Sequence, residues 1–326
     1  MTSLKWGVLS TARITDKLQE QTKGKMNWFA VASRDETRAA KHAETHGYER
    51  SYGSYEELLA DPDIDAIYNP LPNGMHVPWS VKALEAGKHV LCEKPLTWTP
   101  TSAERAFDIA EREGKVLAEA FMWRHHPQVA KARELIAGGK IGDLHQLRAA
   151  HTFYLTDPGD VRLQQYLEGG ALQDLGCYCI SGVRTLSGSE PERVYGESQM
   201  TEGGVDLTFS GTLRMPGDVL AVIDCSFAGG PRTERLEAIG TLGTIALNDP
   251  WHAVKPIVEL ITEDGTEEID CGQPYSNYLL EMQDFEAAVA GEKEPLLGRE
   301  DAVAQARVID ALYASADKKE PVWLKD

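Results

Sequence analysis

The stretch Lys88-His89-Val90-Leu91-Cys92-Glu93-Lys94-Pro95 decides how the first half of the chain folds. Val90, Leu91 and Cys92 form a short apolar run between Gly87 and Pro95, the pattern of a strand buried on both faces of a parallel sheet. Glu93 and Lys94 then stand at the carboxyl end of that strand, where open α/β sheets bind ligands. A solvated turn that merely ends the strand has the same local pattern, so the neighbouring sequence has to choose.

Working outward, apolar runs recur at Trp6 to Leu9, Trp28 to Ala32, Ile64 to Tyr68, His89 to Cys92 and Val116 to Phe121. Helical segments lie between them. His76 to Ala86 places Val77, Val81 and Leu84 on one face and stops at Gly87. Thr99-Pro100 offers an N-cap and a proline at the first helical position, followed by Ala103, Phe107 and Ala110 before Gly114. Strands separated by helices of this length imply βαβ units, hence a doubly wound, Rossmann-like parallel sheet over residues 1–124.

The first strand-to-helix turn of such a sheet carries the dinucleotide fingerprint. In Gly7-Val8-Leu9-Ser10-Thr11-Ala12-Arg13-Ile14-Thr15, the positions of the three small residues of G-x-G-x-x-G/A are held by Ser10, Ala12 and Thr15. Small residues there still allow a tight turn whose helix amides face a pyrophosphate. An ordinary strand-turn-helix would look alike; its place at the start of a βαβ series favours the nucleotide. The second strand ends Ser33-Arg34-Asp35, with Arg38 a turn later. Ser33 with the two arginines suits the 2′-phosphate of NADP, while Asp35 either contacts ribose, as NAD would require, or caps the next helix. NADP is the expected cofactor, with NAD as the alternative. The turn Asn69-Pro70-Leu71-Pro72-Asn73-Gly74-Met75-His76 follows the third strand, either bordering the cofactor or serving only to start a helix.

Composition excludes several partners. Lys plus Arg is 33 against 51 Asp plus Glu, a formal charge of −18, which repels nucleic-acid phosphates and anionic lipid and hints at a salt-adapted host. No run approaches a membrane span, and Met1-Thr2-Ser3-Leu4-Lys5-Trp6 lacks a signal-peptide pattern. Five cysteines without a Cys-x-x-Cys pair indicate reduced thiols and a cytoplasmic protein. The histidines are scattered and the His125-His126 pair lacks i, i+4 spacing, so no metal is expected.

Beyond Arg124 the texture changes, and residues 125–326 are expected to form an α+β domain. Pro127 to Ala137 is helical up to Gly138-Gly139. Strand-like runs follow at Gln146 to Phe153, Val205 to Arg214, Val219 to Phe227, Arg235 to Ile239 and Ile257 to Ile261. Turn signals at Met215-Pro-Gly-Asp218, Ala228-Gly-Gly-Pro231 and Glu263-Asp-Gly265 make the sheet mainly antiparallel. Leu279 to Val289 and Ala302 to Ala314 read as closing helices. Within this half, Gly169-Gly170-Ala171-Leu172-Gln173-Asp174-Leu175-Gly176-Cys177-Tyr178 sets Asp174 and Tyr178 at i and i+4, so a helix would bring a carboxylate and a phenol to one face. A surface aspartate beside a half-buried tyrosine is the plainer reading of that pair.

Taken together, Trp6-Gly7-Val8-Leu9, Glu93-Lys94-Pro95, Glu119-Ala-Phe-Met-Trp-Arg124 and Gly169-Gly-Ala-Leu-Gln-Asp174-x-x-x-Tyr178 resemble the glucose-fructose oxidoreductase and inositol dehydrogenase family (Gfo/Idh/MocA) over nearly the whole chain. Tyrosine rather than histidine at 178 resembles the branch of D-xylose dehydrogenases, glucose-fructose oxidoreductase and dimeric dihydrodiol dehydrogenases. The glycine loop, with Ser10, Ala12 and Thr15, departs from the family pattern.

The resemblance implies an N-terminal Rossmann domain, a C-terminal domain with an open sheet that forms a homodimer or homotetramer, a cis Lys94–Pro95 bond, and hydride transfer between nicotinamide and a sugar or cyclic alcohol. Lys94, Asp174 and Tyr178 become the expected catalytic residues. Unperturbed Tyr and Lys titrate near ~10 and ~10.4, so one must be tuned down by roughly two or three units to act near neutrality. A lysine ammonium favours the phenolate, which assigns Tyr178 as base and Lys94 as oxyanion donor; the reverse stays open because coupled groups share their titration. Asp174 would orient a substrate hydroxyl or Lys94. The expected cofactor contacts are Ser10, Thr11, Ala12, Arg13, Ile14, Ser33, Arg34, Arg38, Asn69, Pro70, Leu71, Asn73, His76, Glu93, Lys94, Trp123 and Arg124. Tyr154 and Arg162 join Lys94, Asp174 and Tyr178 as expected substrate contacts, although Arg162 paired to a local carboxylate, and Tyr154 and Trp123 in the core, are the structural alternatives. The expected reaction is NADP-dependent oxidation of an aldopyranose, D-xylose-like, at C1. Reduction of an anhydro-keto sugar and oxidation of a trans-dihydrodiol would use the same residues, and a non-catalytic NADP sensor is the reading from another class.

Overall fold

Six short strands, β1 (Lys5–Leu9), β2 (Asn27–Ala32), β3 (Arg50–Tyr52), β4 (Ala66–Asn69), β5 (His89–Glu93) and β6 (Leu117–Ala120), form one sheet in the order β3-β2-β1-β4-β5-β6. All neighbours are parallel. The computed structural model describes residues 4–272 and 276–324; Met1-Thr2-Ser3 of the N-terminal stretch lie outside them. The strand order reverses between β1 and β4, which is the doubly wound Rossmann arrangement with its ligand crevice at the carboxyl ends.

Crossovers are made by α1 (Arg13–Thr22), α2 (Glu36–His46), α3 (Tyr55–Ala60), α4 (His76–Glu85) and α5 (Pro100–Glu113). Helix α5 starts at Pro100 and stops where Gly114 turns left-handed, as its punctuation predicts, although the Thr99 hydroxyl makes no capping bond. The strand of this sheet missing from the sequence reading is β3, only three residues long and polar, with no apolar run to announce it.

By packing the chain divides into two units, Met1–Met122 with Tyr278–Val303, and Trp123–Asn277 with Ala304–Asp326. The chain thus passes between the units three times, after Met122 where the sequence placed the division after Arg124, and again after Asn277 and Val303. The cause is visible at β1, where buried Trp6 packs on Phe285 at 5.3 Å and donates from Nε1 to Glu286 Oε1 at 3.1 Å. Burying each such aromatic contributes about 1.5–3 kcal/mol, enough to hold a returning helix to the first sheet.

The second unit is built on a nine-stranded sheet of β7 (Leu144–Tyr154), β8 (Arg193–Met200), β9 (Asp206–Arg214), β10 (Leu220–Ser226), β11 (Ala228–Gly240), β12 (Thr244–Leu247), β13 (Ile257–Thr262), β14 (Gly265–Asp270) and β15 (Val322–Trp323). Its order is β14-β13-β12-β11-β7-β10-β9-β8-β15, antiparallel except for β7 with β10. Helices α6 (Pro127–Ala137) and α7 (Cys177–Ser187) precede β7 and β8, and α8 (Asn277–Val289) and α9 (Arg299–Lys318) precede β15. Alternation along β10, Leu220 out and Ala221 in, Val222 out and Ile223 in, gives the sheet one covered face, where α7 packs.

One turn signal is corrected. Ala228-Gly229-Gly230-Pro231 does not separate strands but lies inside β11, where the register against β7 jumps between Ala228 and Thr233. Proline has no amide for the ladder, so the segment bulges while the strand continues.

Candidate active site

In the first unit, the turn out of β1 is bent as a dinucleotide loop requires. Ser10 has φ 120°, a region that favours glycine, so a serine sits in the conformation of the missing first glycine. Ala12 occupies the N-cap of α1 with no side-chain bond to its amides, leaving the helix entrance to an anion. Buried Thr15 donates from Oγ1 to Ala12 O at 2.6 Å and locks the turn from below. Thr11 and Ile14 are half-buried beside exposed Arg13.

At the end of β2 the role of Asp35 is decided. Its Oδ1 accepts from Arg38 N at 3.1 Å, capping α2, while the Asp35 amide donates to Ser33 Oγ at 3.3 Å. One oxygen of the carboxylate is therefore used by the helix. Arg34 and Arg38 are exposed; Arg38 Nη2 donates to Thr11 Oγ1 at 3.1 Å, and Arg34 reaches the Tyr55 hydroxyl. The hydroxyl of Ser33 and two guanidiniums beside a free helix entrance fit a phosphate-bearing adenosine.

The turn after β4 supports the site from inside. Asn69 and His76 are among the residues read as cofactor contacts, but both side chains are buried. Asn69 Nδ2 donates to His76 O and Ser80 Oγ, and its Oδ1 accepts from Leu71 N. His76 Nδ1 lies 2.8 Å from Pro95 O and Nε2 lies 2.6 Å from Leu71 O. Asn69 and His76 thus brace the Pro70-Leu71 turn against the residue after Lys94, and only backbone and half-buried Asn73 are left to border a cofactor.

Lys94 is half-buried at the end of β5, and its bond to Pro95 is cis. Glu93 holds the turn: Oε1 accepts from Tyr68 Oη at 2.5 Å and Oε2 from Lys94 N at 3.3 Å. Glu119, to which the sequence assigned no role, is buried and accepts from Leu96 N at 2.7 Å. A buried glutamate in an apolar strand, read with the need to anchor the turn after Pro95, was its only signal.

In the second unit, Gly169 and Gly170 let the chain approach its neighbours closely. A Cβ on Gly169 would stand 2.3 Å from Arg162 O, and one on Gly170 would stand 2.2 Å from Asp206 Oδ1. The helix expected after Gly170 opens with a π turn over Leu172–Gly176 before α7, so Asp174 projects from a widened turn of the kind common at functional sites. Asp206, buried, fixes this start by accepting from Leu172 N at 2.6 Å and Tyr313 Oη at 2.9 Å. Tyr178 is mostly buried and sits against His151 (5.4 Å, edge-on) and Trp251 (5.6 Å).

Arg162 takes the structural alternative: Nε donates to Asp174 Oδ2 and Nη1 to Asp160 Oδ1. The Asp174 charge, more than burial opposes it, holds the guanidinium firmly protonated. Trp123 is likewise in the core, edge-on to Trp251 at 5.0 Å, with half-buried Arg124 over its ring. Tyr154 is exposed. Behind Tyr178 lies a network the sequence did not reveal. His151 Nε2 is 3.6 Å from Glu234 Oε1, and His252 Nδ1 is 2.9 Å from the same oxygen. Burial pushes the Glu234 carboxyl up, but His252, His151 and Arg232 together hold it below its ordinary range. These residues come from three separated strands and loops, so no local spacing marks them.

A doubly wound sheet with this loop, followed by a sheet domain carrying Asp174 and Tyr178, defines a nicotinamide-dependent oxidoreductase of two-domain type. The comparisons agree. Residues 7–121 match the oxidoreductase family with NAD-binding Rossmann fold, and residues 129–246 match the GFO/IDH/MocA C-terminal domain. The chain is 37% identical to the D-xylose 1-dehydrogenase (NADP(+)) 2 of Haloferax volcanii over 96% of its length and 97% of the relative's. It is 33% identical to the trans-1,2-dihydrobenzene-1,2-diol dehydrogenase of Mus musculus, covering 78% of each chain. The crystal structure of a 3-ketoreductase from Actinomadura kijaniata with NADP and TDP-benzene superposes with a TM-score of 0.89 at 30% identity, over 96% of this chain and 98% of that one. The protein belongs to the GFO/IDH/MocA oxidoreductase family. Among the described residues no helix is long and apolar enough to cross a membrane.

Proposed function

We propose that the protein is an NADP-dependent sugar dehydrogenase that oxidises the C1 hydroxyl of a D-xylose-like aldopyranose to the lactone. The observation that carries the cofactor choice is Asp35 spent as the cap of α2 beside exposed Arg34 and Arg38. With one Asp35 oxygen committed to the cap, the two guanidiniums beside it favour a 2′-phosphate. The substrate class rests on Asp174 and Tyr178 in the second unit and on likeness, over nearly the whole chain, to a relative named for D-xylose.

Ser10, Thr11, Ala12, Arg13 and Ile14 would hold the pyrophosphate, and Ser33, Arg34 and Arg38 the adenosine phosphate. The cofactor, when bound, would supply the hydride acceptor. The residues of this chain manage the proton and the charge. Tyr178 Oη, as phenolate, accepts the hydroxyl proton, and the Lys94 ammonium stabilises the negative charge that develops on that oxygen. Asp174, steadied by Arg162, orients a neighbouring hydroxyl. The sugar is a small polar partner, and a cytoplasmic homodimer or homotetramer built through the second unit's sheet completes the proposal.

The test is a panel of pentoses, hexoses, inositols and trans-dihydrodiols with NADP and with NAD, followed by absorbance of the reduced nicotinamide. D-xylose or a close aldopyranose should give the highest kcat/KM with NADP. A dihydrodiol or a keto sugar outperforming every aldose would transfer the assignment to that substrate, and NADPH binding without any turnover would replace the enzyme with a sensor.

A further inference from the structure

Away from the catalytic residues, α1 and α2 bring three metal-ligating side chains together. His42 and His46 stand one turn apart on α2, at the i, i+4 spacing that His125 and His126 lack, with ring centroids 4.3 Å apart. Asp16 faces them from α1: its Oδ1 lies 3.0 Å from His46 Nε2 and 3.9 Å from His42 Nδ1. The three donor atoms lie within 4.8 Å of one another. Ligands bound tetrahedrally at about 2.0–2.1 Å stand roughly 3.3 Å apart, between the two separations seen here.

The proton bookkeeping at His42 points the same way. Thr15 Oγ1 uses its own proton on Ala12 O at 2.6 Å, so at 3.4 Å from His42 Nε2 it can only accept. That leaves Nε2 protonated and the Nδ1 lone pair of a neutral ring turned toward a carboxylate oxygen, two acceptors face to face. A cation between the acceptors resolves the conflict. A second observation is independent of these three residues. Tyr48, 8% exposed, lies 5.8 Å from His42 ring to ring, and its hydroxyl has no hydrogen-bond partner among the described residues. Its ring packs against His42, at the edge of the same cluster.

We propose that Asp16, His42 and His46 form a binding site for a divalent transition-metal cation such as Zn2+, with water or the Tyr48 hydroxyl completing the shell. Two imidazoles and one carboxylate are the donor set of such borderline cations rather than of Mg2+ or Ca2+. The cation would clip α1 to α2, the helices that begin at Ala12 and Asp35. The proposal stands apart from the dehydrogenase assignment. Among the described residues the other cluster of this kind, Glu234, Asp249 and His252, is already committed: Glu234 pairs with His252 and Arg232, and Asp249 Oδ2 accepts from the Val254 and Lys255 amides.

The experiment uses untagged, chelator-treated full-length protein titrated with Zn2+ by calorimetry and with Co2+ by its visible spectrum. One cation per chain is expected, with a rise in Tm on binding. His46→Ala and Asp16→Asn should each weaken binding at least about tenfold, and His42→Ala/His46→Ala together should abolish it while the far-ultraviolet dichroism stays that of the wild type. His252→Ala should leave the titration unchanged. No binding to the wild type, or binding that survives the double substitution or is lost in His252→Ala, would overturn the site.

Discussion

Arg162 Nε donates a 2.7 Å hydrogen bond to Asp174 Oδ2 while Nη1 of the same guanidinium lies 3.2 Å from Asp160 Oδ1. One planar group therefore ties the loop before the Gly169-Gly170 pair to the π turn that carries Asp174. Under the proposed function Arg162 is a positioning residue. Arg162→Met should lower kcat/KM by about 10- to 100-fold, the usual cost of misplacing a substrate-orienting group by about an ångström. Arg162→Lys keeps the charge but not the fork and should recover only part of it. Steady-state kinetics on the three proteins decide; equal rates would remove Arg162 from the site.

The 2′-phosphate assignment is tested at Arg34 and Arg38. A charge-assisted hydrogen bond contributes about 1.5–3 kcal/mol, so either arginine changed to alanine should raise the Kd for NADP by about tenfold or more and leave that for NAD nearly unchanged. Asp35→Asn should keep the preference, because Asn still caps α2. Fluorescence titration with both cofactors measures this. NAD binding as tightly as NADP in the wild type would sink the assignment.

Tyr178→Phe removes only a hydroxyl from a ring held between His151 and Trp251, so the fold should persist. Loss of a general base lowers kcat by about 10²- to 10⁴-fold. NADP affinity should stay as in the wild type. A variant that turns over normally across the pH range would pass the proton role to Lys94.

At Ser10, φ 120° is a conformation that costs a non-glycine residue about 1–3 kcal/mol. Glycine relieves that strain and returns roughly 0.5–1 kcal/mol of it as chain entropy. Ser10→Gly should therefore raise stability by about 1 kcal/mol, read as a higher urea midpoint at constant slope. A lower midpoint would mean that the serine hydroxyl holds the turn.

The first sheet was legible because its longer strands are buried apolar runs and two of the helices between them are punctuated, α4 by Gly87 and α5 by Pro100 and Gly114. β3 escaped because Arg50-Ser51-Tyr52 is a short polar strand at the sheet edge with no apolar run to mark it. The motif residues Lys94, Asp174 and Tyr178 could be named because they belong to contiguous stretches. Of the residues that hold them, Arg162 and Glu93 could be named too, but Glu119 and Glu234 could not. Glu119 meets the Lys94 turn through the Leu96 amide, and Glu234 meets His151 across paired strands; such contacts depend on register, which composition and period do not encode. Asp35 was ambiguous for a different reason, since one carboxylate suits a ribose and a helix cap equally until the Arg38 amide is placed.

His76 links the nucleotide half to the Lys94 turn and should leave a signature in the pH dependence of stability. Burial pushes its imidazole down, the Pro95 and Leu71 carbonyls pull it up, the Lys94 charge pushes it down again, and the net value is about 4. In the unfolded chain it titrates near ~6.5. Between those values the unfolded state binds a proton that the folded state refuses, so the contribution is complete above about pH 6.5 and is lost as the pH falls toward 4. The slope approaches about 1.4 kcal/mol per pH unit. His76→Asn has no such proton, and its amide can still donate to one of the two carbonyls. The variant should be less stable than the wild type at pH 7, and the gap between their urea midpoints should narrow at pH 6 and again at pH 5. His89 and His126, which burial also pushes down to about 4, contribute equally to both proteins and drop out of the difference. Parallel curves over that range would show that His76 stays protonated in the fold, with both carbonyls as its acceptors.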